Sequence, residues 1–219
     1  MERFFDILFS ALGLLVLAPL LVPIVVILRL TGEGEVFYTQ ERVGRDGRHF
    51  GLYKFATMLK ESPSMGAGDI TVKNDPRILP FGQLLRKTKL NELPQLLNIL
   101  KGDLSLVGPR PMVPSTFEHY DPQARTELCK VPPGLTGVGS IIFRDEERYL
   151  DSRDDPVRFY REVIIPYKTA LEQWYVRHRS LGLYFLLIFL TAWVIFFPRS
   201  RLPRRLLRDL PEPSAELTV

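Results

Sequence analysis

The chain has 219 residues, 46% of them hydrophobic, a mean hydropathy of +0.02 and a net charge of +4. That length holds one modest domain plus membrane segments, and the apolar residues concentrate at the two ends, which argues against a purely soluble protein. A single cysteine, Cys129, excludes an intrachain disulfide; three unpaired histidines disfavour zinc, and no helix-turn-helix, zinc-finger or stacked-aromatic signature points to nucleic acid.

From Ile7 to Leu28 nearly every residue is apolar, a run of roughly 20 residues that is long enough to cross a bilayer. It is too long for a signal peptide, and no small-residue cleavage site follows. Pro19 and Pro23 interrupt it, and each removes a backbone donor, so a bend is expected. Arg3 precedes the run and Arg29, Arg42, Arg45 and Arg48 follow it, so both flanks suit the cytoplasm. A re-entrant helix bent at the prolines satisfies both flanks. An ordinary spanning helix with a proline kink stays open on these residues alone.

After Leu30 the reading is mostly α with a small β-hairpin element. Val36–Val43 and His49–Phe55 read as strands around Arg45-Asp46-Gly47, an Asp-Gly hairpin signal. Glu61 to Asp69 reads as a mobile loop. Pro80 opens a helix over Phe81–Lys87. Asn91 is placed to cap a helix over Glu92–Lys101, with Gly102 to end it. Asp121-Pro122 and Asp155-Pro156 start two more, the second broken at Pro166. Leu181 to Phe197 is a second apolar run of roughly 17 residues, at the lower limit for crossing. Arginines flank it on both sides, and only Tyr184 and Thr191 are polar, so insertion, a packing surface for a second protomer and a core helix are the readings. Asp209 to Val219 reads as a disordered tail.

The dense chemistry lies between Arg86 and Pro111. Arg86, Lys87 and Lys89 precede a predicted helix N-terminus, whose free N–H groups and positive dipole end suit phosphate. Glu92 in the first turn could hold a divalent cation that bridges phosphates. Arg110, between Pro109 and Pro111, is a stiffly presented guanidinium with a fork that matches phosphate. For any one of these residues a capped helix with a solvated basic flank explains as much. Together they point to diphosphate chemistry.

This stretch resembles the signature of the bacterial sugar transferase family, the monotopic phosphoglycosyl transferases. The likeness continues through Ala18-Pro19, Gln40-Glu41-Arg42-Val43-Gly44 and Tyr53-Lys54-Phe55-Ala56-Thr57-Met58. Asn74-Asp75-Pro76-Arg77, Gly108-Pro109-Arg110-Pro111 and Pro133-Gly134-Leu135-Thr136-Gly137 also match. The segments occur in order and at matching separations.

The resemblance implies transfer of a sugar 1-phosphate from a UDP-sugar to undecaprenyl phosphate, with release of UMP. It implies a covalent aspartyl-phosphosugar intermediate, with Mg²⁺ on the diphosphate. Residues 1–30 would be the re-entrant membrane helix and 31–180 a catalytic domain on the cytoplasmic face of the bacterial inner membrane. Residues 181–208 would be a membrane-associated helix with an Arg-rich anchor, and 209–219 a tail. Lys54, Arg86 and Arg110 would contact phosphates, with Asp75 and Arg77 in the same site. Glu92 would bind the metal, and Gly134, Thr136 and Gly137 would shape the nucleotide or sugar pocket through close backbone approach. The expected partners are the UDP-sugar, undecaprenyl phosphate and the bilayer, with room for a homodimer and none for nucleic acid.

Three positions depart from the pattern. The nucleophile belongs to an Asp-Glu pair, and here the pair is Asn91-Glu92. A carboxamide is a very poor nucleophile, so the form given should be inactive or nearly so. Either the substitution was introduced to trap a bound state, the favoured reading, or the chain is a natural pseudoenzyme: a scaffold that binds nucleotide-sugar or polyprenyl phosphate. Ala56 replaces a usual Arg or Lys, and Ala18 a frequent Ser before the bend.

Overall fold

A computed structural model describes residues 1–65, 75–144, 149, 155–198 and 200–217. The expected loop beyond Met65 and Asn74 of the Asn74-Asp75-Pro76-Arg77 match lie outside these. The fold is mostly helical with two small sheets. The residues form two units, Ile7–Gln40 with Gly51–Lys101 (the N-terminal unit), and Met1–Asp6, Glu41–Phe50 and Gly102–Val219 (the C-terminal unit).

Helix α1 (Glu2–Leu30) is continuous over 29 residues and carries Pro19 and Pro23 inside it. At 1.5 Å per residue it is about 43 Å long. It is long and apolar enough to cross a membrane. Leu15 and Val16 are 72% and 73% exposed, while Ile24 and Leu28 are buried against Phe55 and Leu85 of the N-terminal unit. Strands β1 (Phe37–Val43) and β2 (His49–Phe55) pair around the turn Arg45–Gly47, where the hairpin was expected. Asp46 and Gly47 both take positive φ there, which suits Asp and Gly.

Helix α2 (Pro80–Lys87) starts at its proline, as predicted. It packs so closely on the main chain after β2 that a Cβ at Gly82 would lie 2.2 Å from the carbonyl oxygen of Thr57. Gly82→Ala should therefore destabilise the protein by about 2 kcal/mol, the scale of overpacking against an unyielding neighbour. A denaturant midpoint unchanged from the parent's would refute this. Helix α3 (Gln95–Lys101) is closed by Gly102 at φ +98°.

The C-terminal unit contains a feature absent from the sequence reading. Strands β3 (Ser105–Val107) and β4 (Gly134–Thr136) pair in parallel, Ser105 opposite Gly134 and Val107 opposite Thr136. Three-residue strands are too short to show a period of two, which is why they were not legible. Between them lies α4 (Pro122–Leu128), capped by Asp121, whose Oδ1 accepts from the N–H groups of Gln123 and Ala124. After β4 comes the short α5 (Val138–Ile142). Helix α6 (Ile165–His178) passes through Pro166 rather than breaking there. A wider π-turn, Tyr160–Ile164, precedes it, and Pro166 stands in the first turn, where its missing N–H costs little.

Helix α7 (Leu181–Phe196) is capped by Ser180 and has two apolar faces with different fates. Tyr184, Leu187, Leu190 and Val194, at helical spacing, are buried in the cluster that includes Val138, Leu171 and Tyr175. Each buried Leu of that face contributes roughly 2 kcal/mol. Phe185, Phe189, Ile195 and Phe196 remain exposed. Its polar residues are consumed inside the unit. The Tyr184 hydroxyl donates to Asp6 Oδ1 at 2.9 Å. Thr191 donates to the Leu187 carbonyl at 2.7 Å, so the 2.8 Å contact to Thr136 has Thr136 as donor. Asp6 Oδ1 also accepts from Ser105 Oγ and the Leu106 N–H, which fixes the start of α1 to β3. Where a disordered tail was expected, Leu210 and Leu217 pack on the same cluster, and the Pro211 carbonyl accepts from Tyr167.

Candidate functional site

In the N-terminal unit, Lys54 lies near the end of β2, half-buried, and Ala56, two residues on, is buried. Arg86 and Lys87 occupy the last turn of α2, at its carbonyl end, where cations suit the helix dipole. The Arg86 guanidinium lies 3.5 Å from the Thr57 hydroxyl, within the unit.

The predicted helix from Glu92 is not there. Leu90–Glu92 forms a single 3₁₀ turn, entered through Lys89 at φ +61°. Pro94 has no N–H to continue an α-helix, and the Leu90 carbonyl accepts from Leu93 instead. Asn91 is thus a turn residue rather than an N-cap. The N–H groups of Glu92 and Leu93 are spent on Lys89 and Leu90 and do not offer an anion site. The turn places the two members of the pair differently. Asn91 is 7% exposed, and its Oδ1 has no hydrogen-bond partner. Glu92 is half-buried.

Asp75 and Arg77 come together as a closed ion pair with side chains 1% and 4% exposed. Arg77 Nε and Nη2 donate to the Asp75 carboxylate at 2.9 and 2.6 Å, and Nη1 donates to the carbonyls of Ser62 and Met65 at 2.8 Å each. The pair raises the Arg77 pKa, first through the hydrogen bond to Asp75. With donors on all three nitrogens engaged, the pair holds the chain around Ser62–Met65 rather than offering a fork to phosphate.

In the C-terminal unit, Arg110 sits on a loop whose main chain is tied at successive polar atoms. The Gly108 N–H donates to Thr136 at 2.9 Å, and the Pro109 carbonyl accepts from Gly134 at 2.8 Å. The Arg110 N–H donates to Glu172 Oε1 at 3.3 Å. The Pro111 carbonyl accepts from Arg42 Nη1 at 2.9 Å, and Met112 accepts from Val43 at 3.0 Å. The Arg110 side chain is exposed. This is a guanidinium on a fixed root, free to meet an anion.

Gly134 and Gly137 make the close approach that was expected, but to backbone. A Cβ at Gly134 would lie 2.0 Å from the Gly108 nitrogen, and one at Gly137 2.2 Å from the Gly108 carbonyl oxygen. The Thr136 hydroxyl turns to Thr191. These residues therefore hold the Arg110 loop.

Glu172 escaped the sequence reading. It is buried beside α5, where a Cβ on Gly139 would lie 2.4 Å from its Oε1. Burial raises its pKa to about 7, opposed by the Arg110 N–H and by the charges of Lys168 and Arg110. Its Oε2 has no hydrogen-bond partner. The available signal was a Lys168–Glu172 pair at i, i+4 on the same face as Leu171 and Tyr175.

Among the described residues no three His, Cys, Asp or Glu side chains group to hold a metal. Glu92 is half-buried and carries a carboxylate of the kind that binds Mg²⁺.

The family model for bacterial sugar transferases matches residues 1–198. The undecaprenyl-phosphate glucose phosphotransferase of Komagataeibacter xylinus is 35% identical over 204 residues, covering 91% of this chain and 36% of that protein. The exopolysaccharide production protein ExoY of Rhizobium meliloti is 36% identical over 162 residues, covering 68% and 71%. The undecaprenyl-phosphate galactose phosphotransferase of Salmonella typhimurium is 34% identical over 209 residues, covering 89% and 40%. The chain thus spans well under half the length of the first and third of these relatives.

Proposed function

Because the chain belongs to the bacterial sugar transferase family, we propose that it is built to transfer a sugar 1-phosphate from a UDP-sugar to undecaprenyl phosphate at the cytoplasmic face of the bacterial inner membrane. The observation that carries the reading is Arg110: an exposed cation on a main chain tied from Gly108 to Met112, suited to a diphosphate. The names of two relatives supply the acceptor and a sugar phosphate as the transferred group, and the family resemblance supplies the UDP donor. Arg86 and Lys54 add positive charge on the N-terminal unit.

In the complete reaction a carboxylate at position 91 attacks the β-phosphorus of the UDP-sugar. A P–O bond forms to the carboxylate, and the bond to the α-phosphate oxygen breaks, so UMP leaves. An oxygen of undecaprenyl phosphate then attacks the same phosphorus and releases the carboxylate. Arg110 would neutralise charge that builds on the phosphoryl oxygens. Glu92 would hold Mg²⁺, which supplies charge neutralisation on the diphosphate when bound. Asn91 lacks the nucleophilic oxygen, so this chain should bind and not turn over. The buried, unpartnered Oδ1 of Asn91 favours as second reading a binding scaffold that keeps the site without the chemistry.

The membrane reading rests on α1 and α7. Their outward faces are apolar and exposed. The start of α1 is tied through Asp6 to Ser105 and Tyr184, and its end packs through Leu28 on Phe55 and Leu85. Arginines that flank the apolar run on both sides support the re-entrant form. With Cys129→Ser as background, Phe4→Cys and Leu30→Cys should both react with an impermeant maleimide from the cytoplasmic side of inverted vesicles. Reaction of one from each side would establish a spanning helix.

The test of function is Mg²⁺-dependent binding. The full chain in detergent should bind UDP-sugars, lose them on chelation and bind them more weakly as Arg110→Ala. Equal binding with and without Arg110, or none across a panel of UDP-sugars, would sink the assignment.

A further inference from the structure

We propose that Glu172 is a positioning residue that seats the Arg110 main chain so that its guanidinium meets a diphosphate; this rests on the reading of Arg110 as a phosphate contact. Pro109 and Pro111 have no N–H, so the Arg110 N–H is the only main-chain donor of the triplet, and it is given to Glu172 Oε1 at 3.3 Å. The other ties of the loop are to main chain or to Arg42. Among the described ties of this loop, Glu172 is the ionisable acceptor.

The seat is built for a carboxyl group. Residue 139 is glycine, and a Cβ there would lie 2.4 Å from Glu172 Oε1. The charged groups that act on Glu172 are Arg110 from the loop and Lys168 from its own helix, with Tyr175 one turn on. Lys168 is itself buried, with its Nζ 5.5 and 5.7 Å from the rings of Phe143 and Tyr160. Helix α5 contributes glycine and apolar side chains. An ionised acceptor binds an N–H more strongly than a neutral one. The grip on Arg110 thus follows the protonation of one buried group.

The experiment measures the affinity of Mg²⁺-UDP for the full chain from pH 5.5 to 8.5. Parent, Glu172→Gln, Arg110→Ala and the double variant are compared. Glutamine keeps the shape and an acceptor, so the fold is retained, and circular dichroism checks it. The parent should bind about tenfold more tightly than Glu172→Gln at pH 8.5, and equally at pH 5.5, as a charged acceptor becomes neutral. Taking the ratio at each pH cancels the titration of UDP itself. In the Arg110→Ala background the Glu172→Gln change should have no further effect. If Glu172→Gln matches the parent at every pH while Arg110→Ala weakens binding, this proposal alone fails. If Glu172→Gln weakens binding equally in both backgrounds, Glu172 is structural and the proposal fails. If the parent does not bind Mg²⁺-UDP, or Arg110→Ala binds as well as it, the functional reading falls and this one with it.

Discussion

Asn91→Asp is expected to raise UMP release from the correct UDP-sugar, with undecaprenyl phosphate and Mg²⁺ present, by about 10⁴-fold, the scale on which loss of a covalent nucleophile acts. The two side chains have the same shape, and the position is in a 3₁₀ turn whose main-chain bonds do not involve the side chain. The change therefore alters chemistry and leaves local structure in place. Asn91 Oδ1 is buried without a partner, so the turn already holds an oxygen that no protein donor claims. An ionised carboxylate there gains a free lone pair for phosphorus, where the carboxamide offers a delocalised one. Release of UMP should also occur without acceptor, as a single stoichiometric burst that marks the covalent intermediate. No UMP from either form across a panel of UDP-sugars that bind would overturn the nucleophile assignment. It would leave a protein that holds nucleotide-sugar without turning it over.

Glu172→Gln should remove a pH-dependent weakness of the fold. A carboxyl group with an ordinary pKa of 4.5 when unfolded, raised to about 7 when folded, binds more protons in the native state between those values. Stability is then fully present below pH 4.5, declines as pH rises and is lost above about 7. The displacement corresponds to about 3 kcal/mol across that window. The variant lacks the titration, so it should be more stable than the parent by about that amount at pH 8.5. The two should converge towards pH 4.5. Chemical denaturation in detergent at a series of pH values reads the difference. A parent that gains stability relative to the variant as pH rises would show that Glu172 is paired well enough to favour its charge. Together with the binding test, the expected result is a group that costs stability in the ionised state in which it serves Arg110.

Much of the fold was legible because local chemistry announces it. Asp46-Gly47 marks a hairpin through two positive φ values, and Pro80 and Asp121-Pro122 mark helix starts that tertiary packing then kept. Asn91 was misread as a cap because a cap and a turn ask for the same residue types, and Pro94 decided between them. The motif residues were legible as a set but not by role. Arg42, Gly134 and Gly137 belong to segments that stand out in the sequence, and their contacts are with the main chain of the Arg110 loop. Asp75 and Arg77 read as members of the phosphate site, and only the fold reveals that they pair with each other. Glu172 carried the faintest signal, since a Lys168–Glu172 pair at i, i+4 on a helix looks like a solvated face until the helix is docked. The two faces of α7 were hidden for the opposite reason: with apolar residues all round, periodicity cannot distinguish a side that meets protein from one that does not.

The tie between Asp6 and Tyr184 joins residues 178 positions apart. A chain synthesised from its N-terminus makes the carboxylate 178 residues before the hydroxyl. At the pace of a ribosome, about 5–20 residues per second, that is a wait of roughly ten seconds or more. Ser105 and Leu106 follow Asp6 by 99 and 100 residues, so their bonds to it can form before Tyr184 completes the seat. The residues Ile7–Gln40 and Gly51–Lys101, by contrast, are all present once Lys101 has emerged. Assembly of these parts is thus ordered in time, and the Arg110 loop, whose Glu172 partner follows it by 62 residues, is set after them.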